Sequence, residues 1–380
     1  MNNYRAVIAN FVLLSILPFF TYCLSIIFLF FKSSPNKKTI NLFIVNSSLL
    51  IAFINTTKVL NGDLSVYHDY FTIEPLHMSL MQFVMSHERG DYLFYIVTYI
   101  LSYIFFQNWV LYIIFITFIS YYFMLSSYKL VLLKLKVSYI DIIIVIITMT
   151  FFYLYFSLSL QLIRNYLAAS MILYFLVNLF LLNENKYWYL ILAISLHATA
   201  SLFILVYIIR NFNYQKFLLL LIIGTILTMY RDEFYLMQRV MSFVESDEQN
   251  KNIFIFYGMF YSLLLVFIFL PIIKNKIDFQ LKLNYYRYIY SVLIVFVVGF
   301  LFSNVDLVIE RLILYLYFLL FPIYFLLLFK VFNVKVYRFL NITMAYLSIY
   351  LFYQNIEYGM WRYADISILY VNPLLEGVLN

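Results

Sequence analysis

Cysteine occurs once in this 380-residue chain, at Cys23, so no intramolecular disulfide can form. Its place inside the first apolar run makes it a buried bystander rather than a redox group. Glycine is also scarce, at seven residues, which leaves little of the Gly-mediated helix packing and hinging that rocking transporters use. No internal repeat is present, and that too counts against a secondary transporter. No Gly-rich phosphate loop and no His/Asp/Glu group with metal-ligand spacing occurs, so a nucleotide-driven or metal-dependent enzyme is disfavoured and no cofactor is expected. Lysines and arginines are scattered through short connections, a pattern that does not suit a nucleic-acid partner.

Charge is the most telling shortage. Only 11% of the residues are charged and 65% are hydrophobic, whereas a soluble globular chain carries about 25% charged residues. A hydrocarbon core about 30 Å thick needs roughly 20 apolar residues per helix, and such runs recur along the chain. The expected fold is all-α: one polytopic helical membrane domain over 1–380 with about twelve transmembrane segments. They fall near 6–31, 40–56, 92–107, 109–126, 139–157, 163–182, 187–209, 217–230, 254–273, 286–303, 311–329 and 337–354. The run after Arg5 is too long for a signal-peptide core and reads as a retained first span.

Two longer polar connections, 57–91 and 231–252, are expected as external loops. The first is acidic, with Asp63, Asp69, Glu74, Glu88 and Asp91. It also carries an apolar stripe at helical spacing, Ile73, Leu76, Leu80 and Val84, which predicts a helix lying on the membrane surface. Basic residues orient the chain: Lys32, Lys37 and Lys38 place the first loop inside, and Lys330, Lys335 and Arg338 do the same for the last. Simple alternation of spans then puts Lys129, Lys134 and Lys136 outside, against the rule. Either one run between 92 and 210 does not cross or the rule fails there. Aromatics reach 22%; many are expected as interfacial belts and most as generic apolar bulk, while their faces also suit sugar rings.

Within the apolar stretch FSLSLQLIRNYLAAS, Arg164 costs about 2.5–3.5 kcal/mol if it sits near mid-membrane. On a continuous helix Gln161, Arg164, Asn165 and Ala168 share one face. That would be a polar notch with a guanidinium fork suited to phosphate; the bland alternative is a snorkelling side chain. His197, in LAISLHATASLF, is either hydrogen-bonded to a neighbouring helix or a general base. Farther on, DLVIERLILYLYFLLFP carries Asp306, Glu310, Arg311, Tyr315 and Tyr317, and Arg287 lies in NYYRYIYS. Glu310 can simply neutralise Arg311.

In this order and spacing these pieces resemble the Wzy-type bacterial polysaccharide polymerases, in particular the EpsG-like branch. A family pattern G-x-D-x-x-x-Y is answered by NGDLSVY with Asp63 and Tyr67. N-x-x-R-Q-x-x-A is answered by Gln161, Arg164, Asn165 and Ala168, with the amides exchanged. H-[SA]-[ST]-A is answered by His197-Ala198-Thr199-Ala200, and R-x-x-x-Y followed by proline by Arg311, Tyr315 and Pro322. An acidic-Pro-Gly motif is answered either by Glu74-Pro75 or by Asp91.

The resemblance, over roughly Ile40 to Pro322, implies a GT-C-like membrane glycosyltransferase in the bacterial inner membrane. It would work at the outer face on undecaprenyl-diphosphate-linked oligosaccharides as donor and acceptor, with a flippase and a chain-length regulator of the same pathway as partners. Arg164 and Arg311, with Arg287 in reserve, would hold the diphosphate. His197, ahead of Asp63 or Asp69, would be the base. Gln161, Asn165, Tyr67, Asp91, Glu310 and Tyr315 would line the substrate site. A flippase for lipid-linked sugars and a membrane acyltransferase are the competing readings; the first predicts repeat symmetry, the second a compact His-x-x-x-x-Asp arrangement, and neither is present.

Overall fold

A computed structural model of the chain describes residues 13, 16–31, 36–87, 91–209, 255–263, 265–266, 277–301 and 306–358. Every regular element among them is helical. Five helices are long and apolar enough to cross a membrane: Lys37–Asn55, Trp109–Lys134, Ile163–Leu182, Phe279–Gly299 and Val308–Val331. The pair Tyr139–Thr150 and Tyr153–Gln161 makes a sixth if its 48° bend is counted as one broken span. Twelve spans are therefore not reached among the described residues. The expected span 217–230 and the loop 231–252 lie outside them, as does the end of 254–273.

The chain divides into two compact units. The first comprises 1–171, 195–197 and 334–380. Its helices are α1 (Pro18–Phe31), α2 (Lys37–Asn55), the short α3 (Asp63–Thr72), α4 (Glu74–His77) and α5 (Leu80–Ser86), then α6 (Tyr92–Ile104), α7 (Trp109–Lys134), α8 (Tyr139–Thr150) and α9 (Tyr153–Gln161). α10 (Ile163–Leu176) begins in this unit, and α15 (Val334–Tyr358) completes it. Local chemistry starts these helices where expected. Asn36 accepts from the Thr39 amide at 3.0 Å, Asn108 from Leu111 at 3.2 Å and Ser138 from Asp141 at 3.3 Å. Cys23 is half-buried rather than buried.

α2 and α7 run antiparallel. Lys129 Nζ donates to Asn41 Oδ1 at 2.8 Å near one end, and Asn55 Nδ2 donates to Thr117 Oγ1 at 3.3 Å near the other. Asn55 and Thr117 thus share an end, and α3 to α6, which connect them, must leave and return there. α6 has 13 residues, about 20 Å at 1.5 Å each, too short for a core about 30 Å thick. The run at 92–107 is the one that does not cross. Phe106 and Gln107 turn the chain into α7 with φ of 52° and 57°, consecutive left-handed residues that only a constrained turn holds.

This places Lys129, Lys134 and Lys136 at the same end as Lys37 and Lys38. Asp141 adds Lys335 and Arg338 to that end. Fully buried, it accepts from Ser138 Oγ at 2.5 Å, Tyr337 Oη at 3.3 Å and Arg338 Nε at 3.3 Å, tying α8 to the start of α15. α15 is long enough to cross, but its tyrosines and polar residues leave it less apolar than the helices named above.

The expected surface helix in 57–91 is three short helices. Pro75 lies in the first turn of α4, and Ser79 opens α5 with a reciprocal capping box to Gln82. Ile73, Leu76 and Leu80 stay exposed while Val84 turns inward.

The second unit comprises 172–194 and 198–333. It holds the end of α10 with its wider turn Val177–Leu182, α11 (Tyr187–Leu196), α12 (Ile204–Ile209), α13 (Phe279–Leu301) and α14 (Asp306–Val331). Tyr288 Oη donates to the Leu319 carbonyl at 3.1 Å, one turn before Pro322. Gly299 meets the Phe256 ring so closely that an added Cβ would lie 2.1 Å from it. The expected span 187–209 is broken after Leu196, where His197 interrupts the helix and a tighter turn, Ala198–Phe203, follows.

Antiparallel pairing makes a labelling prediction. In a Cys23→Ser background, cysteines at Lys38, Lys136 and Lys335 should react with a membrane-impermeant maleimide from one side, and a cysteine at Met81 from the other. Labelling of Lys136→Cys from the Met81 side would refute the short α6.

Candidate functional site

Arg164 is the second residue of α10, and its helix does not include Gln161. α9 ends at Gln161, Leu162 leaves the helical region (φ −118°, ψ 49°), and α10 starts afresh. The expected common face for Gln161 and Arg164 is therefore broken. Ser157 and Ser159 contribute, because their hydroxyls bond back to the Leu154 and Phe156 carbonyls, a habit that weakens helices. Lys58 also braces the end of α9. It is buried, and its Nζ donates to the Ser157 carbonyl at 2.8 Å in the last turn, where a cation suits the helix dipole.

Arg164 is only 7% exposed and sits in a cage built from the segments that connect α2 to α7. Nη1 donates to Asp91 Oδ2 at 2.7 Å and to Tyr95 Oη at 2.8 Å; Nε donates to Tyr67 Oη at 3.1 Å. The guanidinium carbon lies 5.5–5.7 Å from the ring centres of Tyr67, Phe94 and Tyr95, within cation–π range. Nη2 makes no hydrogen bond among the described residues.

Asp91 precedes the first residue of α6, where an aspartate ordinarily accepts from the helix's free amides. It makes no such side-chain bond; its carboxylate is turned to Arg164 instead. Of the two carboxylates offered for the acidic-Pro-Gly pattern, Asp91 is the one that opens α6 and meets Arg164. Burial pushes the Tyr95 hydroxyl up to about 12, with Arg164 pulling the other way. The phenol stays neutral at physiological pH, and the cage balances one guanidinium against one carboxylate.

Of the residues singled out in the sequence, Arg164, Tyr67 and Asp91 come together. Asn165 is buried beside Arg164 in α10. Asp63 opens α3 on the exposed side, one turn before Tyr67. Asp69 is exposed and takes part in a 3.3 Å contact with His68 Nδ1. His197 is buried at the break after α11. Arg287, Glu310, Arg311 and Tyr315 belong to the second unit. There Arg311, Tyr315 and Pro322 share α14, and buried Tyr315 packs on Phe203 with ring centres 5.2 Å apart.

Tyr95, Tyr70 and His87 escaped sequence reasoning. Tyr95 is four residues from Asp91 on one helical face, a spacing that could have flagged it. His87 carried no such signal.

Removing one partner of a buried ion pair leaves the other charge uncompensated, at a cost of about 3–5 kcal/mol. Arg164→Leu and Asp91→Leu should each lower stability by about that much. The double variant should lose clearly less than the sum, as read by denaturant titration in detergent; additive losses would mean the pair is not coupled.

Lys58 predicts a pH dependence. Burial lowers its ammonium from 10.5 to about 7, so between those values the unfolded chain holds a proton that the folded one lacks. Stability should rise with pH from about 7 upward, by at most about 1.4 kcal/mol per pH unit, and Lys58→Met should flatten the rise. An equal slope in the variant would assign the effect elsewhere.

No curated protein and no solved structure matches this chain. The EpsG family does match, over residues 41–364, a range that includes the whole Arg164 cage and α14. The chain belongs to the EpsG family, a Wzy-type polymerase family.

Proposed function

We propose that the protein polymerises oligosaccharide units carried on undecaprenyl diphosphate. It transfers the growing glycan from its lipid diphosphate to the terminal sugar of a new lipid-linked unit. The observation that carries this reading is the Arg164 guanidinium, buried at the end of a membrane span and fixed by Asp91 and two tyrosines. Its Nη2 has no hydrogen-bond partner among the described residues.

A guanidinium so held is oriented before substrate arrives and loses little freedom on binding. In the transfer, the acceptor hydroxyl attacks the anomeric carbon of the donor sugar and the bond from that carbon to the diphosphate oxygen breaks. Negative charge develops on the departing diphosphate, and Nη2 donates to it. The hydroxyl of Tyr95, which accepts from Arg164, keeps its own proton to donate alongside. Oriented donors at developing charge are worth about 10²–10³ in rate each. The leaving group is already good, so this chemistry demands no nucleotide.

The gathering of Lys37, Lys38, Lys129, Lys134, Lys136, Lys335 and Arg338 at the opposite end supports an orientation. By the positive-inside rule that end faces the cytoplasm, and the Arg164 cage faces the outer side of the inner membrane. A flippase and a chain-length regulator would act beside it.

The surface-polysaccharide profile of a strain carrying Arg164→Ala tests the reading. With normal protein level in the membrane, the long-chain ladder should collapse to a single unit on the acceptor lipid, whereas loss of a flippase leaves none. Arg164→Lys should also fail, because one ammonium cannot serve Asp91, two phenols and a diphosphate at once. A normal ladder in either strain would remove Arg164 from the reaction.

A further inference from the structure

A second ionisable pair lies one aromatic ring away from Arg164. His87, just after α5, is 9% exposed, and its ring stacks on Tyr95 with centres 4.4 Å apart and planes 25° from parallel. Tyr95 is the phenol that Arg164 Nη1 donates to. Tyr70 meets the imidazole edge-on at 4.2 Å and Phe83 lies at 4.8 Å, so the ring is held from several sides.

Its nitrogens have unequal partners. Nδ1 is 2.6 Å from the Phe83 carbonyl oxygen, which can only accept. Nδ1 therefore carries a proton and donates it there. Nε2 faces Glu74 Oε2 at 3.4 Å. With the Nδ1 proton committed, a neutral ring presents a lone pair to a carboxylate oxygen. Two acceptors then face one another with no donor between them, and one added proton satisfies both. The Glu74 side chain is 26% exposed, so the carboxylate can be reached from outside while the imidazole behind it is sealed.

We propose that the Glu74–His87 pair is the proton acceptor of the glycosyl transfer, Glu74 meeting the acceptor hydroxyl and His87 positioning Glu74 and sharing the proton it receives. The inference rests on the polymerase reading above. The step balances. The O–H bond of the acceptor sugar breaks and its proton passes to the Glu74 carboxylate. The freed electron pair forms the new bond to the donor's anomeric carbon. The old bond to the diphosphate oxygen breaks, and its electron pair leaves on the diphosphate, where Arg164 meets it. The cation that meets the diphosphate and the proton acceptor are thus separated by the Tyr95 ring, with Asp91 already committed to Arg164. Among the carboxylates considered from sequence, Asp63 and Asp69 are exposed on α3, whereas Glu74 is half-buried and backed by an imidazole.

The test uses the full chain reconstituted in lipid vesicles, with lipid-linked oligosaccharide extracted from cells lacking the protein. Chain length is followed by gel, and binding of undecaprenyl diphosphate is measured separately. Glu74→Gln keeps shape and hydrogen bonding but cannot take the proton. It should elongate at least about 100-fold more slowly, the low end for a lost general base, while binding undecaprenyl diphosphate as the wild type does. His87→Ala should slow likewise and regain part of its rate in added imidazole, which a merely structural staple between α4 and α5 would not do.

Wild-type rates in Glu74→Gln, joint loss of binding and rate, or no imidazole recovery in His87→Ala would each overturn the proposal while leaving the polymerase reading intact. A wild-type protein that never elongates the substrate would overturn that reading, and this proposal with it. If Glu74→Gln fails to reach the membrane, Glu74→Asp replaces it: retained elongation with the shorter carboxylate supports the proposal, and its loss with binding intact overturns it.

Discussion

A buried guanidinium beside an apolar span is tolerable only with its charge answered, and the arrangement around Arg164 follows from that constraint. Asp91 supplies the countercharge, Tyr67 and Tyr95 supply acceptors, and three aromatic rings surround the carbon centre. To bring these groups together the chain between α2 and α7 folds back on itself, as three short helices and the truncated α6, instead of crossing the membrane. α9 stops at Gln161 so that α10 can begin with Arg164 in its first turn. Such a pair adds little net stability compared with apolar residues of the same volume, since desolvation offsets most of the attraction.

Hydrophobic thickness and charge distribution act together on the same segment. A 13-residue helix cannot span the bilayer, so α6 stays at the end it started from. That returns the lysines at the end of α7 to the side of Lys37 and Lys38. The bilayer thus excludes charge from its core, gathers these basic residues at one end and leaves the Arg164 cage at the other.

Within the cage, local preference yields to tertiary demand. Asp91 stands where an aspartate would cap its own helix, yet it leaves those amides and pairs across 73 positions of sequence. Leu162 leaves the helical region inside a long apolar run. Phe106 and Gln107 adopt left-handed backbone without being glycine. Departures of this kind gather where a protein holds side chains for a purpose other than packing, and all three lie on the segments that build or support the Arg164 site.

Sequence alone determined the all-α membrane class, because its continuous apolar runs of about 20 residues suit membrane helices and not the alternating strands of a barrel, and a helix satisfies its own backbone polar groups. It also determined the family, because Tyr67, Arg164 and Arg311 stand in a recognisable order. The lysine anomaly was legible too: three basic residues on the wrong side implied either that one apolar run between 92 and 210 fails to cross or that the rule fails there. Which run fails was decided only by the fold, since hydropathy counts apolar residues and does not register where hydrogen bonds such as Asn55 to Thr117 bring chain ends together. The acidic-Pro-Gly motif was undecided between Glu74-Pro75 and Asp91, and a carboxylate partner for Arg164 was not foreseen; the fold brings Asp91 to it. The face shared by Gln161 and Arg164 was misjudged, because helical periodicity assumes a continuous helix and the break at Leu162 resets it. His87 was invisible, because its meaning lies in a ring stack on Tyr95, a contact between segments that no spacing along the chain encodes.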